Sequence, residues 1–167
     1  DCDNSVLYYT FKKLSFGCEL MTHQIVEIKV NGARRKVLVQ ELIPTYYPNL
    51  YVTLEKSARK LNTQQKHLEH IALFEGFLKY ETIDLIARLE ERPVSRYLTD
   101  SEISRFVADA ALNKSTLNKK YTGILLLLKA NETVGRIHAQ QRLEAVRDYL
   151  HFLYDKLGEE TTRDTAI

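Results

Sequence analysis

Asn31-Gly32 sits between two runs of alternating residues, QIVEIKV and ARRKVLVQ. No other feature of the chain restricts its folding as tightly. Both central positions of a tight two-residue hairpin turn need positive φ, and Asn-Gly is the pair that adopts it most readily. The turn sets the register: Val30 faces Ala33 and Glu27 faces Lys36. Val26, Ile28, Val30, Val37 and Val39 then share one face, which is expected to pack. Glu27, Lys29, Arg34 and Lys36 share the other, which is expected to be wet. A β-hairpin within residues 21–45 follows.

After the hairpin the apolar spacing becomes helical. Pro44 and Pro48 interrupt LIPTYYPNLYV and favour an extended path there, with Tyr46, Tyr47 and Tyr51 as its sticky points. Asn62-Thr63 then opens a helix, either residue being able to cap it, with Leu68, Ile71, Phe74 and Leu78 as its inward stripe and Ala72 beside it. A short helix covers about residues 82–91 and stops before Pro93. Thr99-Asp100-Ser101-Glu102 is a capping box, followed by Ile103, Phe106, Val107 and Ala110. Residues 113–135 are the least legible, since 124–128 suits a helical turn or a short strand equally. The last helix begins near His138, turns Leu143, Val146, Leu150, Leu153, Tyr154 and Leu157 to one face, and meets Gly158 as a stop. About four helices and one hairpin make the expected class mainly α, a small helical bundle.

At 167 residues the chain has the length of one domain. No apolar run approaches the length of a membrane span, so no membrane partner is expected. Both cysteines, Cys2 and Cys18, fall before the single methionine, Met21. A body without cysteine suits a reducing cytoplasm and offers no disulfide frame or thiolate metal site. Residues 1–20 read either as upstream sequence before a start at Met21 or as a segment whose Val6, Leu7, Tyr8, Tyr9 and Phe11 pack on the body. Residues 159–167, polar and after Gly158, read as the start of a linker to a further domain.

The net charge of +2 argues nothing, but its distribution does. Residues 113–142 hold six cations against Glu132 alone, whereas residues 81–112 hold seven acids against four arginines. Such segregation presents a basic face to a polyanion or is merely solvated surface.

Catalytic chemistry is hard to find. The six glycines are scattered and form no phosphate loop. His67 and His70, three apart, lack a third metal ligand and read as helix-surface histidines. No motif links serine, histidine and acid. The chain does offer two helices that open in polar, positive sequence. One follows Lys56, Arg59 and Lys60 and begins Asn62, Thr63, Gln64, Gln65, Lys66. The other follows Lys129 and Arg136 and begins His138, Gln140, Gln141, Arg142. Helix N-termini carry partial positive charge and free N–H groups, both suited to phosphate. Lys56, Arg59, Lys60, Lys66, Arg136 and Arg142 are the expected phosphate contacts. Asn62, Gln64, Gln65, Gln140 and Gln141 are the expected base-edge contacts.

The segments NTQQKHLEHIALFEGFLKY, LTDSEI and RLEAVRDYLHFLYDKLG together resemble the N-terminal part of tyrosine recombinases, the phage-integrase family. Thr63 matches the family's helix opening, and Ile71, Phe74, Phe77 and Leu78 match its apolar-aromatic run. Arg142, Leu143, Arg147, Tyr149, Phe152 and Leu153 match its last helix. The resemblance covers about residues 48–158. It implies a helical core-binding, SAM-like domain of residues 46–158 that grips double-stranded DNA at a recombination half-site, with further copies of the recombinase beside it. DNA integration and recombination would be the wider process. The family's catalytic arginines, lysine, histidines and tyrosine lie in a separate C-terminal domain, so no catalytic residue is assigned in this chain. No metal or nucleotide cofactor is implied. The hairpin and residues 113–135 fall outside the family's minimal four-helix pattern. The rival reading is a helical protein-interaction module that uses Tyr46, Tyr47, Tyr51 and the apolar 124–128 run.

Overall fold

The computed structural model describes residues 23–41, 43–91, 97–121 and 133–164, with side chains as far as Leu157. Cys2, Cys18, Met21, Pro93 and the 124–128 run lie outside the described residues. So do 1–20 and 165–167 of the terminal segments.

The described chain is mainly helical, with a small antiparallel sheet at its start. Strands β1 (His23–Val30) and β2 (Ala33–Gln40) pair with Val30 opposite Ala33 and Glu27 opposite Lys36. Asn31 and Gly32 take φ of 48° and 82°, as the turn requires. A short third strand, β3 (Ile43–Pro44), adds to β2, so the sheet order is β1-β2-β3.

The expected division of faces is corrected. Leu38 lies on the side assigned to Glu27 and Lys36, yet it is fully buried in the core, and Ile25 opposite it packs there too. Of the valine face, Val39 is buried, Val26, Ile28 and Val37 are half-buried, and Val30 is exposed. The cause is longitudinal. Only the end of the hairpin remote from the turn rests on the helices. Towards the turn, Glu27 pairs with Lys36 at 3.0 Å and with exposed Arg34 at 3.5 Å.

The proline segment is also corrected, since α1 (Tyr46–Glu55) is a helix. Pro48 is its third residue, where a backbone N–H would have no intrahelical acceptor, so the ring removes nothing. Tyr51 is correspondingly buried rather than a surface contact. Asn49 fastens this helix to the sheet. Its Oδ1 accepts from the Leu38 N–H at 2.7 Å, and its Nδ2 donates to the carbonyls of Leu38 at 2.8 Å and Thr45 at 2.6 Å. The side-chain amide thus does for Leu38 what a neighbouring strand would.

Helix α2 (Leu61–Tyr80) lies against β1, β2 and α1. It begins one residue before Asn62, with Lys60 at the cap position and no side-chain cap, so neither Asn62 nor Thr63 caps it. Helix α3 (Leu85–Glu90) is shorter than expected and is capped by Asp84, whose carboxylate accepts from the Ala87 N–H at 3.0 Å. Helix α4 (Asp100–Ala110) has the capping box: Thr99 Oγ1 accepts from the Glu102 N–H at 3.2 Å, and Glu102 accepts from the Thr99 N–H at 2.8 Å. Its buried stripe is Glu102, Phe106, Asp109 and Ala110, while Ile103 and Val107 point outward, contrary to expectation. Helix α5 (Lys114–Tyr121) occupies the start of the illegible stretch. Helix α6 (Arg136–Asp164) runs past Gly158, so the expected stop and linker start give way to helix. A glycine within a helix costs only about 1 kcal/mol, and no proline follows to enforce a break.

Six helices among the described residues replace the four expected, the additions being α1 and α5. Between them lies an aromatic core. The Tyr51 ring meets Tyr149 at 5.6 Å and Phe152 at 5.4 Å, and Phe106 meets Phe74 at 5.0 Å and Phe77 at 5.2 Å, all within the range of favourable ring pairs. Tyr154, expected inward, is exposed.

Candidate functional site

The long helices α2 and α6 run side by side in the same direction. His70 lies close to Arg142 and His138 of α6. Five residues on, Tyr149 donates to the Glu75 carboxylate at 3.1 Å. Leu78 and Leu153 then meet in one cleft. Parallel packing places both N-terminal ends at one pole of the fold. The loop before α2 joins them, since Lys56 and Arg59 bear on His67. The Lys56 ammonium lies 3.9 Å from Asp148 of α6 and 5.4 Å from the centre of the Tyr51 ring.

Neither helix carries an acidic residue in its first turn. Helix α2 lacks a side-chain cap, and α6 follows Gly135, which has no side chain to offer. The first backbone N–H groups of both helices therefore keep their partial positive charge uncompensated by side chains.

The thirteen sequence-selected residues divide sharply. Arg59, Lys60, Asn62, Lys66, Arg136, His138, Gln140 and Gln141 are exposed. Lys56, Thr63 and Gln65 are half-buried. Gln65 donates to Glu69 at 2.9 Å, and Gln140 donates to Glu144 at 2.9 Å, the same i, i+4 pair on each helix. Such exposed pairs are weak and leave the amide oxygen free.

Two residues must be withdrawn. Gln64 is buried, and its amide donates to the carbonyls of Arg59 at 3.0 Å and Ser57 at 3.4 Å, which closes the corner between α1 and α2. Arg142 is buried, and its guanidinium donates to the carbonyls of Ala110 and Leu112. Neither side chain is free for DNA. The reason was present in the spacing. Gln64 precedes Leu68 and Ile71 by four and seven residues, and Arg142 precedes Val146 and Tyr149 likewise, so both begin the inward stripe.

Sequence reasoning set aside two residues that belong to this pole. His67 and His70 are half-buried rather than surface histidines. Burial first, and then the Arg142 guanidinium, push the His70 imidazole down to about 4, so it is neutral at neutral pH. His67 is lowered by burial and by Lys56, and its Nδ1 is buried without a hydrogen-bond partner. Ile137, in the first turn of α6, is 74% exposed and is an apolar point on an otherwise polar pole.

Among the described residues no cluster of three or more histidine, cysteine or acidic side chains could hold a metal ion, and no helix is long and apolar enough to cross a membrane. The pole offers cations, amides and helix starts without side-chain caps or first-turn acids, a set suited to recognising a polyanion. Comparison with protein-family models, with curated proteins and with solved structures finds no match to this chain.

Proposed function

We propose that this chain binds double-stranded DNA through the pole where α2 and α6 begin, as the core-binding part of a site-specific tyrosine recombinase. One observation carries the reading. Two helix starts, some seventy residues apart in sequence, share a pole at which Arg59, Lys60, Lys66 and Arg136 are exposed and both first turns are free of acids. Phosphates would be met by these cations and the free N–H groups, and base edges by Asn62, Gln140 and Gln141. Ile137 offers apolar contact of the kind a thymine methyl takes. The helical bundle would hold the two helix ends in register, and strand cleavage would belong to a separate catalytic domain. Further copies of the recombinase on the same DNA are part of the reading, and a metal or nucleotide is not.

The test is a titration of the chain against a labelled duplex of about thirty base pairs, followed by fluorescence anisotropy at several salt concentrations. The expected result is an affinity that falls log-linearly and steeply with salt, as phosphate neutralisation requires. Absence of binding at low salt would overturn the proposal. The second reading, a protein-interaction module, is favoured by Ile43, Tyr46 and Leu54, which stand 69%, 65% and 52% exposed along β3 and α1. It no longer draws on Tyr51.

A further inference from the structure

Away from that pole, a cleft of about 420 Å³ opens between the start of β1, the end of β2, the second half of α2 and the turn into α3. Its apolar lining is Leu78, Ile83, Leu85, Ile86 and Leu153. The carboxyl group of Glu75 is set among them, and that of Asp84 also lines the cleft. Glu75 Oε1 accepts from the Tyr149 hydroxyl at 3.1 Å. Oε2 has no hydrogen-bond partner among the described residues, and Glu75 lines the cleft. Among the described residues no cation pairs with this carboxyl: Lys79, one turn further along α2, and His23 share the lining but make no ion pair with it. Burial has pushed the group above the ordinary carboxylate range.

A buried carboxylate left with one neutral donor is costly and calls for a cation or a proton. The geometry selects the kind of cation. A guanidinium fork wants both oxygens of a carboxylate, and here Tyr149 already holds one. A compact ammonium needs only one, and Asp84, whose Oδ1 caps α3, stands in the same lining. The apolar walls suit a short alkyl chain. We propose that this cleft binds an alkyl primary ammonium group, seated on Glu75 Oε2 with its chain along Leu78, Ile83 and Leu153. The group would come from a free amine or from a lysine side chain. The inference is independent of the DNA reading.

The experiment is a ¹H–¹⁵N NMR titration of the chain with n-butylammonium, n-butanol as the neutral counterpart, and lysine blocked at both termini. Saturable shifts at the amides of residues 75–86 are expected with n-butylammonium, at a dissociation constant on the order of millimolar for so small a ligand. Both n-butanol, and n-butylammonium with Glu75→Gln, should bind at least about tenfold more weakly, the loss of one charged contact. Lys79→Ala, an exposed change, should tighten binding about threefold by removing a like charge. Blocked lysine binding as well as the free amine would support a lysine side chain as the source, and binding of the free amine alone would support a free amine. Equal binding of n-butanol, undiminished binding by Glu75→Gln, or no saturable shift with either ammonium would overturn the proposal. Should Glu75→Gln fail to fold, the comparison of amine with alcohol and the Lys79→Ala variant decide it.

Discussion

Arg142 donates from its guanidinium to the carbonyl oxygen of Ala110, the last residue of α4, at 2.9 Å. Helix α4 has no basic residue in its own last turn, so a cation from α6 meets the negative end of its dipole. The same guanidinium reaches Leu112, and beside it Val134 N–H donates to the Ala111 carbonyl at 2.8 Å. The end of α4 and the start of α6 are thereby tied together. Arg142→Leu should lower unfolding free energy by about 3 kcal/mol, as buried charged hydrogen bonds do. Urea denaturation measures it. The salt dependence of duplex binding should be unchanged, because this cation does not reach solvent.

Arg59 and Arg136 should behave in the opposite way. Both are exposed, so Arg59→Ala and Arg136→Ala should shift stability by no more than about 0.5 kcal/mol. Each should reduce the slope of log affinity against log salt by about 1, the signature of one lost phosphate contact. An unchanged slope in both variants would remove these residues from the interface.

Asn49 makes three hydrogen bonds that join α1 to the sheet. Asn49→Ala leaves the Leu38 N–H without its acceptor and should cost about 2–3 kcal/mol in chemical denaturation. Asn49→Asp should be at least as damaging at neutral pH, since its carboxylate would face the Leu38 carbonyl without a donor. Equal stability of Asn49→Ala and wild type would refute the clamp.

Two carboxyl groups should shape the pH dependence of stability with opposite signs. The bidentate Arg88 guanidinium, at 2.9 and 3.1 Å, and the Thr99 cap hold Glu102 down to about 2. The unfolded chain takes up that proton first, so the contribution of Glu102 is complete above about pH 4.5 and is lost as pH falls towards 2. Glu75 is raised by burial, against the Tyr149 hydrogen bond, so the folded chain keeps its proton longer. Its contribution weakens as pH rises from 4.5 through its raised value. Urea midpoints measured from pH 2 to 8 should show Glu102→Gln flattening the acid limb. Glu75→Gln should flatten the decline above it.

Much of this architecture could be read along the chain. Asn31-Gly32 yields the hairpin register, and Thr99 with Glu102 yields a helix start, because each signal is local. The inward stripe of α2 follows from its period. What escaped depends on partners distant in sequence. Nothing near Tyr46 reveals that Pro48 would sit at a harmless third helical position, or that Asn49 would find Leu38. Ile103 and Val107 have core chemistry, but the neighbours that could bury them lie elsewhere. At the candidate site, charge and helix starts singled out two segments that the fold brings to one pole. They did not separate exposed Arg136 from buried Arg142, a distinction that rests on which stripe each position joins.

The parallel packing of α2 and α6 has a kinetic consequence. Glu75 and Tyr149 are 74 residues apart along the chain. Loop closure over such a span is an entropic obstacle that nearby helix contacts do not face. Helix α4, with its local capping box, can form early, whereas the pole shared by α2 and α6 exists only after the chain has returned on itself. Any function of that pole is therefore a late product of folding. A chain halted before α6 would carry Arg59, Lys60 and Lys66 without Arg136 and without the shared surface.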